Sequence, residues 1–188
     1  MRFAILQQRR IAPRGRRGGS GNGRETGMRQ ILNLDAAQFE EVCNGGRFAG
    51  QWASLGAAMG ARKLGVSLTV VPPGKCAFPK HAHHSNEEML FILEGAGTWH
   101  CGDERAPVRA GDLIAAPPGD GSTAHQLENS SEAELRYLTF STKEAPEVVE
   151  YPDSGKFGVT SRAGGETQVF RFIGRLDSAV DYFDGEDD

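Results

Sequence analysis

"FPKHAHHSNEEMLFILEG", residues 78–95, sets three histidines and two glutamates at the mouth of an apolar run that ends in glycine. The run "MLFIL" needs burial, so imidazoles and carboxylates placed just before it are carried to the edge of a core. His81 and His83 are two residues apart, and on an extended backbone a period of two puts both rings on one face. "SNEE" then turns the chain, so that the next strand can bring a carboxylate back beside the pair. The cluster reads either as a solvated loop ahead of a core strand or as half of a metal site.

Outward from this stretch the chain keeps one style. Its 188 residues include 25 glycines and 9 prolines, and short apolar runs recur between these breakers. That pattern predicts an all-β fold of many short strands. Strands are expected over 64–74, 88–95, 112–119, 123–129 and 134–142, with a hairpin over 97–111 turning at Gly102-Asp103. "EVVEYPD", "KFGVTS" and "TQVFRFIG" supply three more. Short helices are expected near the two ends. One lies in "ILNLDAAQFEEV", capped by Asp35 with Phe39 and Val42 on one side; the other opens at Asp177.

Charge is unevenly spread. Residues 1–27 hold seven arginines and one acid, Glu25, which leaves 14 basic and 24 acidic residues in 28–188. The first segment lacks apolar periodicity and reads as a disordered Arg/Gly-rich leader, with the globular body at 28–188. An acidic body argues against nucleic acid as a partner, because phosphate contacts need a basic face. No window approaches the roughly 18 apolar residues of a membrane span. Cys43, Cys76 and Cys101 are odd in number and form no CxxC pair, which fits reduced thiols in the cytoplasm.

A second histidine segment, "PPGDGSTAHQLEN", places His125 at the start of another strand. Three neutral imidazoles and a carboxylate make a mixed N/O shell suited to a divalent transition metal.

Together the two segments resemble the motifs of the cupins, small double-stranded β-helix barrels of jelly-roll type. The first motif reads here as Gly74, His81, His83, Glu88 and Gly95, with one extra residue between Gly74 and His81. The second reads as Gly111, Pro117, Gly119, His125 and Asn129, lengthened between Gly119 and His125 by a "DGS" insertion of loop character. The likeness extends over roughly 47–175 and implies a single cupin domain in which His81, His83, Glu88 and His125 hold one metal ion. Glu87 is the rival carboxylate; the six residues between Glu88 and Gly95 match the family pattern and favour Glu88. Iron, manganese, nickel, zinc and copper all accept such a set.

If Glu88 points inward, Leu90 and Ile92 share its face, and Met89, Phe91 and Leu93 point outward and need cover from another segment or a second subunit. His84 should then point away from the metal. His100 is expected to be exposed near the hairpin tip, and Cys76 and Cys101 to be packing residues. Tyr137 and Thr139 belong to the core by default, and Trp99 reads as pocket wall or barrel filler.

The resemblance implies a metal-dependent enzyme on a small oxygen-rich substrate, in a homodimer. The reaction would be isomerisation of a sugar or sugar phosphate, as in the small bacterial cupins with a similar "NEEM" segment, or oxygenation or decarboxylation of an organic acid. The alternative is a non-catalytic cupin that binds or senses a small ligand.

Overall fold

Antiparallel pairing organises the molecule, a computed structural model that describes residues 31–162 and 169–186. A six-stranded sheet runs in the order β1 (Glu40–Cys43), β2 (Ala49–Ser54), β3 (Leu64–Val71), β10 (Leu135–Thr142), β5 (Glu88–Glu94), β8 (Leu113–Ala116). A four-stranded sheet holds β13 (Val169–Arg175), β12 (Lys156–Arg162), β11 (Glu147–Tyr151) and β4 (Ala82–His83). A three-stranded sheet holds β7 (Glu104–Arg109), β6 (Ala96–Cys101) and β9 (His125–Glu128). The three ladders do not close into one barrel, but bridges at His81–His125 and Cys76–Glu128 tie them together. This is the all-β architecture expected from the punctuated apolar runs.

Alternation along β5 decides what faces inward. Glu88, Leu90 and Ile92 are buried, and Met89, Phe91 and Leu93 are half-buried on the other face. Leu90 and Ile92 join Val71, Trp99, Leu127, Leu135 and Tyr137 in the main core. The outward face finds part of its cover within the chain. Leu93 and Leu138 pack with Leu32, Leu34 and Ala37 against a second core of Ala53, Leu55 and Leu68. Gly95 ends β5 at φ +84°, where a Cβ would collide with the carbonyl oxygen of Glu134, so the glycine is required twice over.

The N-terminal helix is not formed. Only a 3₁₀ turn, Leu34–Ala36, exists there, capped by the side chain of Asn33 rather than by Asp35. Glu40–Cys43 is instead a strand paired with β2. The reason lies in "CNGGR": Gly45 and Gly46 take φ of +70° and +50°, a hairpin turn that recruits the preceding residues into a ladder. At the other end a 3₁₀ turn, Leu176–Ser178, replaces the expected short helix. Strand β2 and a one-turn helix α1 (Leu55–Ala58) went unforeseen in the sequence. The Arg/Gly-rich stretch 1–27 lies outside the described residues. Among the described residues no helix is long and apolar enough to cross a membrane.

Candidate metal centre

Backbone pairing brings the two histidine segments together. His81 and His125 exchange two hydrogen bonds, N–H of His81 to the carbonyl of His125 at 3.0 Å and the reverse at 2.7 Å. The "DGS" insertion forms a 3₁₀ turn, Gly121–Thr123, closed by Asp120, whose carboxylate accepts from the Ser122 N–H at 2.9 Å. The insertion is thus absorbed before β9 begins, and His125 keeps its register opposite Cys101.

The side chains then converge on one carboxylate. Nε2 of His125, His83 and His81 lie 3.4, 3.7 and 3.9 Å from the oxygens of Glu88. Donor atoms of His81, Glu88 and His125 all fall within 4.8 Å of one another, a group that could hold a metal ion. His83 stands slightly apart, its ring centroid 6.4 Å from that of His125, although its Nε2 faces the same carboxylate. Ligands about 2.1 Å from a common ion are separated from one another by about 3–3.4 Å, close to the shorter spacings here.

Two further observations suit a cation. His81 Nδ1 lies 2.8 Å from the carbonyl oxygen of Pro79, which can only accept, so the proton sits on Nδ1 and Nε2 keeps its lone pair for the site. His83 is 3% exposed, yet neither ring nitrogen has a hydrogen-bond partner. A buried polar atom in that condition is costly unless something outside the described chain satisfies it.

Electrostatics agree. Burial, reinforced by the neighbouring His125, lowers the His81 pKa to about 4, so the ring is neutral near pH 7. Burial alone would raise Glu88, but the hydrogen bond from His125 and the charges of His83 and His81 outweigh it and hold the carboxyl near 2. For His83 burial acts downward, and the carboxylates of Glu147 and Glu88 overcome it and raise the pKa.

Glu88 is thus the buried carboxylate, whereas Glu87 is exposed and its N–H is held by Thr142 Oγ1 at 3.1 Å. His84 points away, its Nε2 2.5 Å from Glu150. His100 departs from expectation: it is half-buried, with Nε2 2.9 Å from Glu128 on the adjacent strand β9, because pairing of β6 with β9 covers it. Trp99 serves both roles foreseen for it. It belongs to the core, and its ring stacks on His125 at 5.1 Å and 21°. Cys76 is fully buried, whereas Cys101 is half-buried, its Sγ 3.7 Å from the Thr123 carbonyl.

Glu147 escaped the sequence reading. It is 4% exposed, with Oε1 3.7 Å from Nδ1 of His83, and it accepts from the N–H of His84 at 3.0 Å and from the Asn86 amide. Its signal was present in "EVVEY", where Glu147, Val149 and Tyr151 alternate onto one face. His81, His83, Glu88, His125, Tyr137, Thr139 and Tyr151 help to line a cavity of about 790 Å³.

Comparison with known proteins bears on the family and the fold. Residues 67–141 match the Cupin_2 family, described as "Cupin domain". An uncharacterized protein of Methanocaldococcus jannaschii is 34% identical over 76 residues, 40% of this chain and 58% of that protein. The oxalate-binding protein of Thermotoga maritima is 31% identical over 68 residues, 36% of this chain and 53% of that protein. The chain therefore spans little more than half the length of the curated relatives it matches. Among solved structures, a sugar phosphate isomerase from a cupin superfamily, from Silicibacter pomeroyi, is 25% identical with a TM-score of 0.67, covering 79% of this chain and 94% of that one.

Proposed function

With residues 67–141 forming a cupin domain and the chain thereby belonging to the cupin superfamily, we propose that it is a metal-dependent enzyme acting on a small oxygen-rich molecule. His81, His83, Glu88 and His125 hold one divalent transition ion. The observation that carries this reading is the ring of three imidazole Nε2 atoms around the buried Glu88 carboxylate, at the wall of a cavity large enough for a small metabolite. When bound, such an ion supplies Lewis acidity to substrate oxygens. The chain's own residues do the positioning. Pro79 fixes the His81 tautomer, Trp99 buttresses the His125 ring, and Glu147 faces the far nitrogen of His83.

Isomerisation of a sugar or sugar phosphate is the first reaction class, supported by the likeness to the Silicibacter pomeroyi protein. The likeness to an oxalate-binding protein favours a second, an organic acid that is bound, decarboxylated or oxygenated at the same centre. Metal analysis and turnover on sugar phosphates and dicarboxylates, in air and without oxygen, test both. Metal-replete protein that turns over neither class in either atmosphere would leave a binding role.

The protein is further proposed to be a cytoplasmic homodimer with no nucleic-acid partner. Its three free thiols suit a reducing compartment. Phe170, Phe172 and Ile173 on β13, with Leu113 and Phe140 on the six-stranded sheet, are exposed apolar groups that a second copy would cover. Light scattering that gives a monomer at micromolar concentration would refute the dimer.

A further inference from the structure

We infer that Lys156 anchors an anionic group, a phosphate ester or a carboxylate, on the small molecule that enters the cavity. The inference deepens the proposed function and rests on it for the metal-binding end of that molecule.

The hairpin between β11 and β12 places the lysine. A 3₁₀ turn, Pro152–Ser154, and the left-handed Gly155 at φ +59° close it, so that Tyr151 and Lys156 are direct cross-strand partners. Val149 and Tyr151 alternate onto the cavity side of β11, and Lys156, opposite Tyr151, shares that side. Its Nζ sits 5.5 Å from the Tyr151 ring centroid, and that ring lies 6.3 Å from His81. These two legs keep the ammonium within about 12 Å of the His81 ring, a span that one small sugar phosphate or organic acid can cover.

Among the described residues the charge of Lys156 is unanswered: its ammonium has no hydrogen bond and no acid within ion-pair distance, although the residue is half-buried. The cavity's other lysine, Lys143, is engaged, its Nζ 3.3 Å from the Ala61 carbonyl. Of the two acids that line the cavity among the described residues, Glu88 faces the three histidines and Glu40 is exposed. A divalent ion there would be offset by Glu88 and by Glu147 behind His83, so Lys156 supplies the unpaired positive charge that favours an anion in the cavity. The Tyr151 face steadies the ammonium without neutralising it, which leaves its N–H groups for a ligand oxyanion.

Titration calorimetry on the metal-loaded protein tests this with three probes: a pentose 5-phosphate, the free pentose and malonate. Lys156→Ala should weaken at least one anion by about tenfold or more, leave the free pentose unchanged and retain full metal by elemental analysis. Lys156→Arg should recover most of the loss, and Lys143→Ala should bind like the parent. The phosphate and malonate arms tell which anion the site prefers. Equal anion affinity in the parent and Lys156→Ala, or no anion binding by metal-replete parent protein, overturns the assignment. Lysine-dependent anion binding in a parent protein that takes up no metal would sink the metal centre and keep the anchor.

Discussion

Oε1 of Glu147 lies 3.7 Å from Nδ1 of His83, and both side chains are almost wholly buried. The carboxylate is fixed from behind by the N–H groups of His84 and Ser85 and by the Asn86 amide, so it cannot swing away. A fixed anion behind a histidine orients the ring and raises the basicity of its other nitrogen. Glu147→Gln should therefore weaken metal binding by about tenfold to a hundredfold, with Nε2 of His83 left in place. Chelator competition measures it, and an unchanged affinity would show that Glu147 is only a fold-stabilising group.

Removal of the donors separates ligands from bystanders. His81→Ala, His125→Ala and Glu88→Gln should each lose most of the metal, as read by elemental analysis of purified protein. His84→Ala, whose parent side chain pairs with Glu150 outside the site, should keep it. His83→Ala is the sharpest case, because His83 is the donor standing furthest from the compact group. Full occupancy in that variant would reduce the ligand set to three.

In the metal-free protein, pH acts through the same groups. The Glu88 carboxyl is held near 2 against an ordinary 4.5, so its contribution to stability is complete above 4.5 and is lost as pH falls toward 2. Folding favours neutral His81, whose pKa drops from 6.5 to about 4, so stability is also lost as pH falls from 6.5 to 4. The raised His83 runs the other way: its contribution is present below 6.5 and disappears as pH rises through its folded value. Urea midpoints with chelator present should thus decline steadily between pH 6 and 3. Proton competition for the metal should begin with His83 and be joined by His81 only near pH 4. An affinity flat from pH 7.5 to 4 would exclude these imidazoles as ligands.

Two N-terminal truncations should behave differently. A chain begun at Met28 should keep its melting temperature and metal, because its missing residues have no apolar periodicity. A chain begun at Gln38 uncovers Leu55 and Leu68 by removing Leu32, Leu34 and Ala37, and should lose about 2–4 kcal/mol. Equal thermal unfolding of the two would mean that the second core does not need this cover.

The strands were largely legible because they rest on local rules, whereas the candidate ligand set came from the resemblance of two separate motifs to those of a family. Period-two alternation put Leu90 and Ile92 on the face of Glu88, a residue chosen by its spacing to Gly95, and glycine marked the strand ends at Gly95 and Gly102. What was lost depended on competition or distance. "ILNLDAAQFEEV" carries a plausible helical face, and only the downstream Gly45-Gly46 turn reveals that Glu40–Cys43 pairs as a strand. Glu147 looks like any strand glutamate until β4 is laid beside β11, where Val149 falls opposite His83. His100 was misjudged for the same reason, since Glu128 reaches it only across the β6–β9 ladder.

The doubled backbone link between His81 and His125 also bears on the order of events in folding. Those residues come from distant parts of the chain, so their link closes a long loop and forms only once the ladders around it have docked. An ion held across that link stabilises the native state and has no hold on the species that precedes it. Loading with metal should therefore slow unfolding and leave the refolding rate unchanged. Stopped-flow chevrons with and without the ion would then share their folding limb and separate only on the unfolding side.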